Sequence, residues 1–495
     1  MPNNTPRHSL TVRVTHWLTF IAFAALLVTG IEIIISHPHF YWGETGNVNM
    51  QPLINLHIPS SRDSIPNGYN YELPDGNGWG RYLHFEAAWL LVFTALIYGI
   101  VSLWKGHFRR NLIPERGQRN LKALWQVVAK YLRRAPADPQ EQFTYNALQR
   151  VTYLCVIFVL FPGIIWTGLA MSPSFSAAFP FFVNILGGKQ SARTLHFFDT
   201  ILLSAFFLTH IAMVAVTGFK ARMRAITLGD PYKPQPGLAT DSSPINTGRR
   251  KLIYTGIALT AGFAGVAVAT RLAGRFGLIP PDGGGIFGPG ETLTYACQRL
   301  ITNHSLAREF PRSMISAKPF ANPVAPPNEA YKKLQAEGFK NWRLTIDGLV
   351  ERPMAFSLDE LKAMPQSSHI TETTCEEGWS YVAEWIGTPL HNVLDQAGVK
   401  PEARYVVYFS IEPEWWESID MAEAAHPQTI LSYGMNGGEL PRSFGGPLRL
   451  RVPRQLGYKN VKYITHITVT DEIKKFGKGL GSAAPEGGYS WYAGI

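Results

Sequence analysis

Cysteine is nearly missing from this chain: there are three in 495 residues, Cys155, Cys297 and Cys375. They are odd in number and far apart, which excludes a disulfide framework and any CxxC metal knuckle. Thiol chemistry therefore belongs to a single residue. Charge is scarce as well. Asp, Glu, Lys and Arg make up 17% of the chain, against about 25% in ordinary soluble domains. The shortage is local, because long apolar runs fill the chain before residue 273, while 274–495 alternates strand-like and turn-like segments of ordinary polarity. A cleavable leader is not expected. Residues 1–13 are polar and short, and no small-residue cleavage site follows, so the first apolar run is expected to be retained.

Five runs have the length and apolarity to cross a bilayer, at roughly 14–36, 84–104, 151–171, 197–219 and 252–272. Ten Lys or Arg lie between the second and third runs and seven between the fourth and fifth, but two in each of the loops 37–83 and 173–195. Positive charge is retained on the cytoplasmic side, so the N-terminus is expected inside and everything after residue 273 outside. The net charge of +10 thus reports topology, and nucleic acid is not an expected partner.

Ionisable side chains in apolar helices are costly and usually functional. Four histidines occupy such positions: His16 in RVTHWL, His84 in RYLHFEAAWL, His196 in RTLHFFDT and His210 in FFLTHIAM. His196 and His210 are fourteen residues apart, close to four whole turns, so both point the same way about 21 Å apart. Topology places His84 at the depth of His196 and His16 at the depth of His210. Two bis-histidine haems stacked across the bilayer would require those pairs. One such histidine alone reads equally well as a helix cap; four at matched depths read as ligands. Gly30, Ala87, Ala88, Ala205 and Ala212 leave room for a porphyrin. His57, in LINLHIPSS, is a rival to His84 but lies outside an apolar helix. With RVTHW on the first helix and H-x13-H on the fourth, residues 10–225 resemble the dihaem cytochrome b561 family of bacterial hydrogenases and formate dehydrogenases. That resemblance implies two b haems and a quinone site near one of them, although no quinone motif is visible. Arg13 is placed to serve a haem propionate or quinone, or to snorkel to the interface.

Residues 252–272 hold no histidine and are rich in Gly and Ala, as suits an anchor helix. The preceding TGRRKLI reads either as a twin-arginine export signal or as plain positive-inside charge. Beyond it, NWRLTIDGLV, YVVYFSI, LRLRVP and YITHITVTD read as strands separated by Pro and Gly turns, the pattern of an α+β domain. Cys375 follows the extended SHITETT. A free cysteine is most often inert filling, and its flanking glutamates argue against a nucleophile. A thiolate-binding metal changes that balance.

The order and spacing of TTCEEGWSYVAEWIGTPL, YVVYFSI, MAEAAHPQTILSYGMNGGELP and GGPLRLRVPRQLGYKNVKYI resemble the sulfite-oxidase-fold molybdenum proteins over residues 295–475. The likeness is greatest to periplasmic methionine-sulfoxide reductase catalytic subunits. It implies that Cys375 gives its thiolate to molybdenum carried on a molybdopterin, and that Glu377 is the acid near the metal. It also implies cofactor contacts from Asn303, His304, Ser410, Arg449, Gly457, Tyr458 and Lys459. Phe444 departs from that family, which has an asparagine five residues before the arginine. With so little sequence after VTDEIKK, the dimerisation domain of true sulfite oxidases is not expected.

The expected architecture is a membrane all-α bundle, with four haem-binding helices plus one anchor helix, fused to an α+β sulfite-oxidase-fold molybdopterin domain. The expected boundaries are 1–225 for the cytochrome, 226–251 for a cytoplasmic linker, 252–273 for the anchor and 274–495 for the periplasmic oxidoreductase. The implied protein sits in a bacterial inner membrane and passes electrons between the quinone pool and a periplasmic substrate. Quinol-driven reduction of an S-oxide is the favoured direction. Sulfite-type oxidation feeding quinone, and a non-enzymatic cytochrome whose outer domain only binds a partner, are the alternatives. Arg442, Arg449, Arg451 and Arg454 would suit an anionic substrate, although alternation along LRLRVPR places some of them on the surface. The loop 37–83, with Tyr41, Trp42, Tyr69, Tyr71 and Trp79, is expected either to dock the molybdenum domain or to lie on lipid headgroups.

Overall fold

The computed structural model describes residues 8–58, 76–133, 145–229, 279–281, 288–322 and 328–494. The expected anchor 252–272, its twin arginine, Tyr69, Tyr71 and the side chain of Trp79 lie outside the described residues.

Four helices among the described residues are long and apolar enough to cross a membrane. They are α1 (Leu10–Ser36), α2 (Gly76–Trp104), α4 (Ala147–Met171) and α5 (Lys189–Val216); a shorter amphipathic helix, α3 (Leu121–Leu132), precedes α4. Ile21, Val28 and Ile31 of α1 and Leu96, Ile97 and Ile100 of α2 are exposed, an apolar surface suited to lipid. Several hydroxyls inside the spans are satisfied within their own helix. The hydroxyls of Thr15, Thr29 and Thr209 donate to carbonyls one turn back at 2.8, 2.7 and 2.7 Å, as a medium without water demands. In α4 the stretch Val156–Leu160 is π-helical. Pro162 follows it and has no N–H to donate, so the regular ladder must loosen there.

α2 and α5 begin several residues earlier than the apolar runs suggest. Arg81, Lys189 and Arg193 are therefore helical residues rather than loop charges. The chain packs as two compact units: one drawn from Met1–Ala24, Ala87–Ile165 and Phe198–Gly277, the other from Ala25–Glu86, Trp166–Phe197 and Leu278–Ile495. The helix ends that carry His84 and His196 thus pack with the sheet-rich part of the chain, which the expected boundary at 273/274 separates from them.

That part opens with α6 (Gly288–Thr302) and contains two five-stranded sheets. Its strands are β1 (Leu344–Gly348), β2 (Met354–Phe356), β3 (Ser367–Thr374), β4 (Ser380–Pro389) and β5 (Tyr405–Ser410). They continue with β6 (Trp416–Asp420), β7 (Ile430–Met435), β8 (Gly438–Glu439), β9 (Arg449–Arg451) and β10 (Ile464–Thr470). One sheet runs β2-β1-β10-β5-β6, with β1 and β10 parallel and the other pairs antiparallel. The other runs β8-β7-β4-β3, with β9 also on β7. Leu344, Ile346, Val406, Tyr408, Ile467 and Val469 alternate inward from the first sheet and pack on Leu390, Val393 and Leu394 of the helix Leu390–Ala397. That helix stops at Gly398, whose φ of +74° suits glycine at a helix end. All four strand-like motifs of the sequence are strands here.

Candidate active site and haem-ligand pairs

The site begins with a hairpin. β3 and β4 pair in unbroken register from Ser367↔Gly387 to Thr374↔Ser380, so the segment between them, CEEGW at 375–379, is the turn. Cys375 N–H donates to Trp379 O at 3.0 Å and Gly378 N–H to Cys375 O at 3.0 Å. Gly378 takes φ +98°, a conformation that favours glycine. The thiol of Cys375 is buried and lies 3.2 Å from Glu376 Oε2. Cys375, Glu376 and Glu377 each offer a ligand atom, all within 4.8 Å of one another. Glu377 is buried, and Trp379 Nε1–H donates to its Oε2 at 2.6 Å. Burial pushes this carboxyl up to about 8, because desolvation disfavours the charged form.

Three further segments converge on the turn. Gly457, in the GYK motif, abuts it: a Cβ there would lie 3.6 Å from Cys375 Cα and 3.5 Å from Thr374 O. The start of α5 grips it. Lys189 Nζ lies 2.8 Å from Glu372 and 3.2 Å from Thr374 Oγ1, and Gln190 Nε2 donates to Gly378 O and Ser380 Oγ at 2.9 and 3.0 Å. The segment after α1 closes it. Gly46 and Ser380 exchange backbone hydrogen bonds at 3.1 and 2.8 Å, and Glu44 takes both arms of Arg308 at 2.7 and 3.0 Å. Of the loop's aromatics, Tyr41 is buried, with its hydroxyl on Asn47 O, while Trp42 is exposed. The docking is therefore made mainly by backbone and charge. A cleft beside the turn is lined by Arg81, Tyr82, Phe85, Glu376, Tyr458 and Tyr489, among others.

Arg449 and Arg451 are 4% and 1% exposed, so the expected surface placement along LRLRVPR is corrected; of the four arginines only Arg442 is exposed. β9 is held in a sheet by β7, and both guanidiniums lie over the Trp385 ring, at 5.0 and 4.5 Å. Arg449 donates to Phe444 O and Asn460 O, so Phe444 meets this arginine through its carbonyl. Arg451 donates to Asn460 Oδ1, Thr371 Oγ1 and Glu372 O. No carboxylate among the described residues pairs with either one, and the Nε of each is buried without a partner. Burial, with Arg449 alongside, brings Arg451 down to about 9. Two buried, un-neutralised cations fit a bound anion such as the phosphate of a pterin cofactor.

The Lys459 side chain is engaged within the protein. Its ammonium is fully buried on Glu417 Oε2 at 2.7 Å, Ser418 O and Ser482 Oγ. A cation paired this way is already neutralised, and what the motif presents to Cys375 is the backbone of Gly457. Tyr458 lines the cleft, with its hydroxyl on Ser490 O. Ser410 ends β5 and its Oγ accepts from Glu412 N–H, a local turn contact. Asn303 and His304 are exposed and 3.5 Å apart, while buried Arg454 donates to the carbonyls of Thr302 and Ser305 on either side of them.

His84 and His196 face each other with ring centres 6.4 Å apart, and His16 and His210 with centres 6.2 Å apart. A metal between two imidazoles sits about 2.0 Å from each nitrogen, and each nitrogen lies ~1.1 Å from its ring centre, so the centres should be ~6.2 Å apart. Both pairs fit a shared iron. His57 sits in an exposed turn at φ +51°. The sequence reading missed Arg81, Lys189, Gln190 and Arg193. The one available signal was R-x-x-H, which recurs at Arg13–His16, Arg81–His84 and Arg193–His196.

Residues 7–228 match the prokaryotic cytochrome b561 family, and residues 331–476 match the oxidoreductase molybdopterin binding domain. The chain is 37% identical over 195 residues to the putative protein-methionine-sulfoxide reductase subunit YedZ1 of Azospira oryzae, covering 39% of this chain and 70% of that protein. It is 32% identical to the protein-methionine-sulfoxide reductase catalytic subunit MsrP of Ralstonia nicotianae, over 26% of this chain and 44% of that one. With MsrP of Xanthomonas axonopodis pv. citri the identity is 34%, over 31% and 52%. The chain spans about half the length of these catalytic subunits. The fold and site define a membrane-bound molybdopterin oxidoreductase with a haem b part. The chain belongs to the prokaryotic cytochrome b561 family, with a molybdopterin oxidoreductase domain joined to it.

Proposed function

We propose that this chain carries electrons from the quinone pool through two b haems to a molybdopterin centre at Cys375, and there reduces an S-oxide. The catalytic domain faces the periplasm and the N-terminus the cytoplasm. The observation that carries this reading is the grip of α5 on the Cys375 turn: one helix holds the turn through Lys189 and Gln190 and offers His196 about two turns later. Electron supply and catalysis thus share one rigid element.

Cys375 and the buried Arg449 and Arg451 would hold the molybdopterin, and the His84/His196 and His16/His210 pairs would hold the haems. When bound, molybdenum supplies two-electron oxygen-atom chemistry. Reduction of a sulfoxide takes two electrons and two protons and releases a thioether and water. Glu377, buried two residues from Cys375, would hold a proton for the reduction, and Trp379 fixes its carboxyl. The cleft lined by Glu376, Tyr458 and Tyr489 lies beside this turn.

The resemblance to methionine-sulfoxide reductase subunits favours S-oxides over sulfite. The test is to reduce the haems of the purified full chain with a quinol analogue and add candidate substrates. Methionine sulfoxide should reoxidise the haems within turnover time. Haem reduction by sulfite in the oxidised protein, with no response to sulfoxides, would establish the reverse reaction instead.

A further inference from the structure

The His84/His196 pair has a support that the sequence reading did not anticipate. Thr29 Oγ1 lies 3.0 Å from His84 Nδ1, and Thr167 Oγ1 lies 3.0 Å from His196 Nδ1. A glycine follows each threonine. A Cβ on Gly30 would stand 3.6 Å from His84 Cε1, and one on Gly168 would stand 3.5 Å from His196 Cε1. The same Thr-Gly pair, on α1 and on α4, therefore brings a helix against each ring and places a hydroxyl on its Nδ1.

The direction of the bond follows from proton counting. A threonine hydroxyl has one proton, and that of Thr29 goes to Ala25 O at 2.7 Å. Its lone pairs face His84, so Nδ1 carries the imidazole proton and donates it. The ring's remaining lone pair is then on Nε2, the atom free to bind iron. At the other pair, His16 Nδ1 is buried without a hydrogen-bond partner. The two sites are chemically unequal.

We propose that Thr29 and Thr167 are positioning residues of the His84/His196 iron, fixing both rings as Nδ1–H tautomers and lowering the reduction potential of the haem held there. A ligand histidine that donates its second N–H becomes a more basic ligand, which favours the ferric state. The inference rests on the bis-histidine reading, and its test separates the two.

The experiment is an optical redox titration of the detergent-solubilised full chain carrying its haems. Thr29→Val and Thr167→Val keep the shape and remove the acceptor. Each should shift one of two haem transitions to higher potential, by severalfold in its reduction equilibrium; a tenfold change is about 59 mV for one electron. The double variant should shift it further, and Thr29→Ser and Thr167→Ser should restore it. Loss of that haem alone, reversed by serine, supports the proposal equally. Unchanged titrations in both valine variants, equal movement of both haems, or serine behaving like valine would overturn it. A His196→Ala variant with full haem content would refute the bis-histidine reading itself, and the proposal with it.

Discussion

At the scale of single side chains, Cys375 is the proposed molybdenum ligand. Cys375→Ser keeps the size of the side chain and removes the soft thiolate that molybdenum prefers. Turnover should vanish and molybdenum content fall, while the haem absorption spectrum stays as it was; wild-type turnover in that variant would end its role as ligand. His426 tests the electrostatics elsewhere. Its Nδ1 accepts from Gln428 N–H and its Nε2 faces Ser305 O, so the neutral ring is fully used. Burial, with Arg454 nearby, holds it down to about 4, although Glu423 pulls the other way. The unfolded chain binds this proton near pH 6.5 and the folded chain only near 4. Stability from this group is therefore present above 6.5 and is lost as pH falls through that window. His426→Gln should flatten the fall of Tm between pH 6.5 and 4.5; an unchanged slope would exclude the linkage.

At the scale of elements, the junction is the β3–β4 turn held by the start of α5. Lys189 and Glu372 form a buried pair with side chains 9% and 5% exposed. Burial raises Glu372 to about 7 even beside Lys189, so removing the lysine leaves a buried carboxyl that takes up a proton and loses its partner. Lys189→Met with Gln190→Ala should slow haem reoxidation by substrate while preserving the haem spectrum, and stopped-flow absorbance measures it; an unaltered rate would show that the grip is dispensable. Both halves of the fold were legible, because apolar runs near twenty residues and alternating strands are strong local signals. The order of motifs around Cys375 singles out the β3–β4 turn, which the structure shows to be a hairpin. The start of α5 was not legible. Lys189 and Arg193 are charged, and hydropathy assigns such residues to a loop, whereas tertiary hydrogen bonds extend the helix beyond the membrane-length run. The pairing of Lys459 was hidden for a related reason: a motif fixes where the backbone goes, but Glu417, distant in sequence, decides where the ammonium goes.

On the scale of the whole molecule, charge and cofactor content are what can be checked. Ten and seven basic residues flank one set of helix ends, so protease added to intact spheroplasts should cut within residues 274–495 and leave 105–150 untouched; the opposite pattern would invert the proposed orientation. Metal analysis should return two irons and one molybdenum per chain, and a ratio without molybdenum would favour a cytochrome that only binds a partner. The grip of α5 on the hairpin turn also bears on supply. In a pair of separate subunits, the ratio of donor to catalyst drifts with expression, and each encounter must be found by diffusion. Here one translation event delivers both in fixed proportion, so raising the gene dose raises throughput without stranding either half, and a freed catalytic fragment would leave behind the very residues that brace its cysteine.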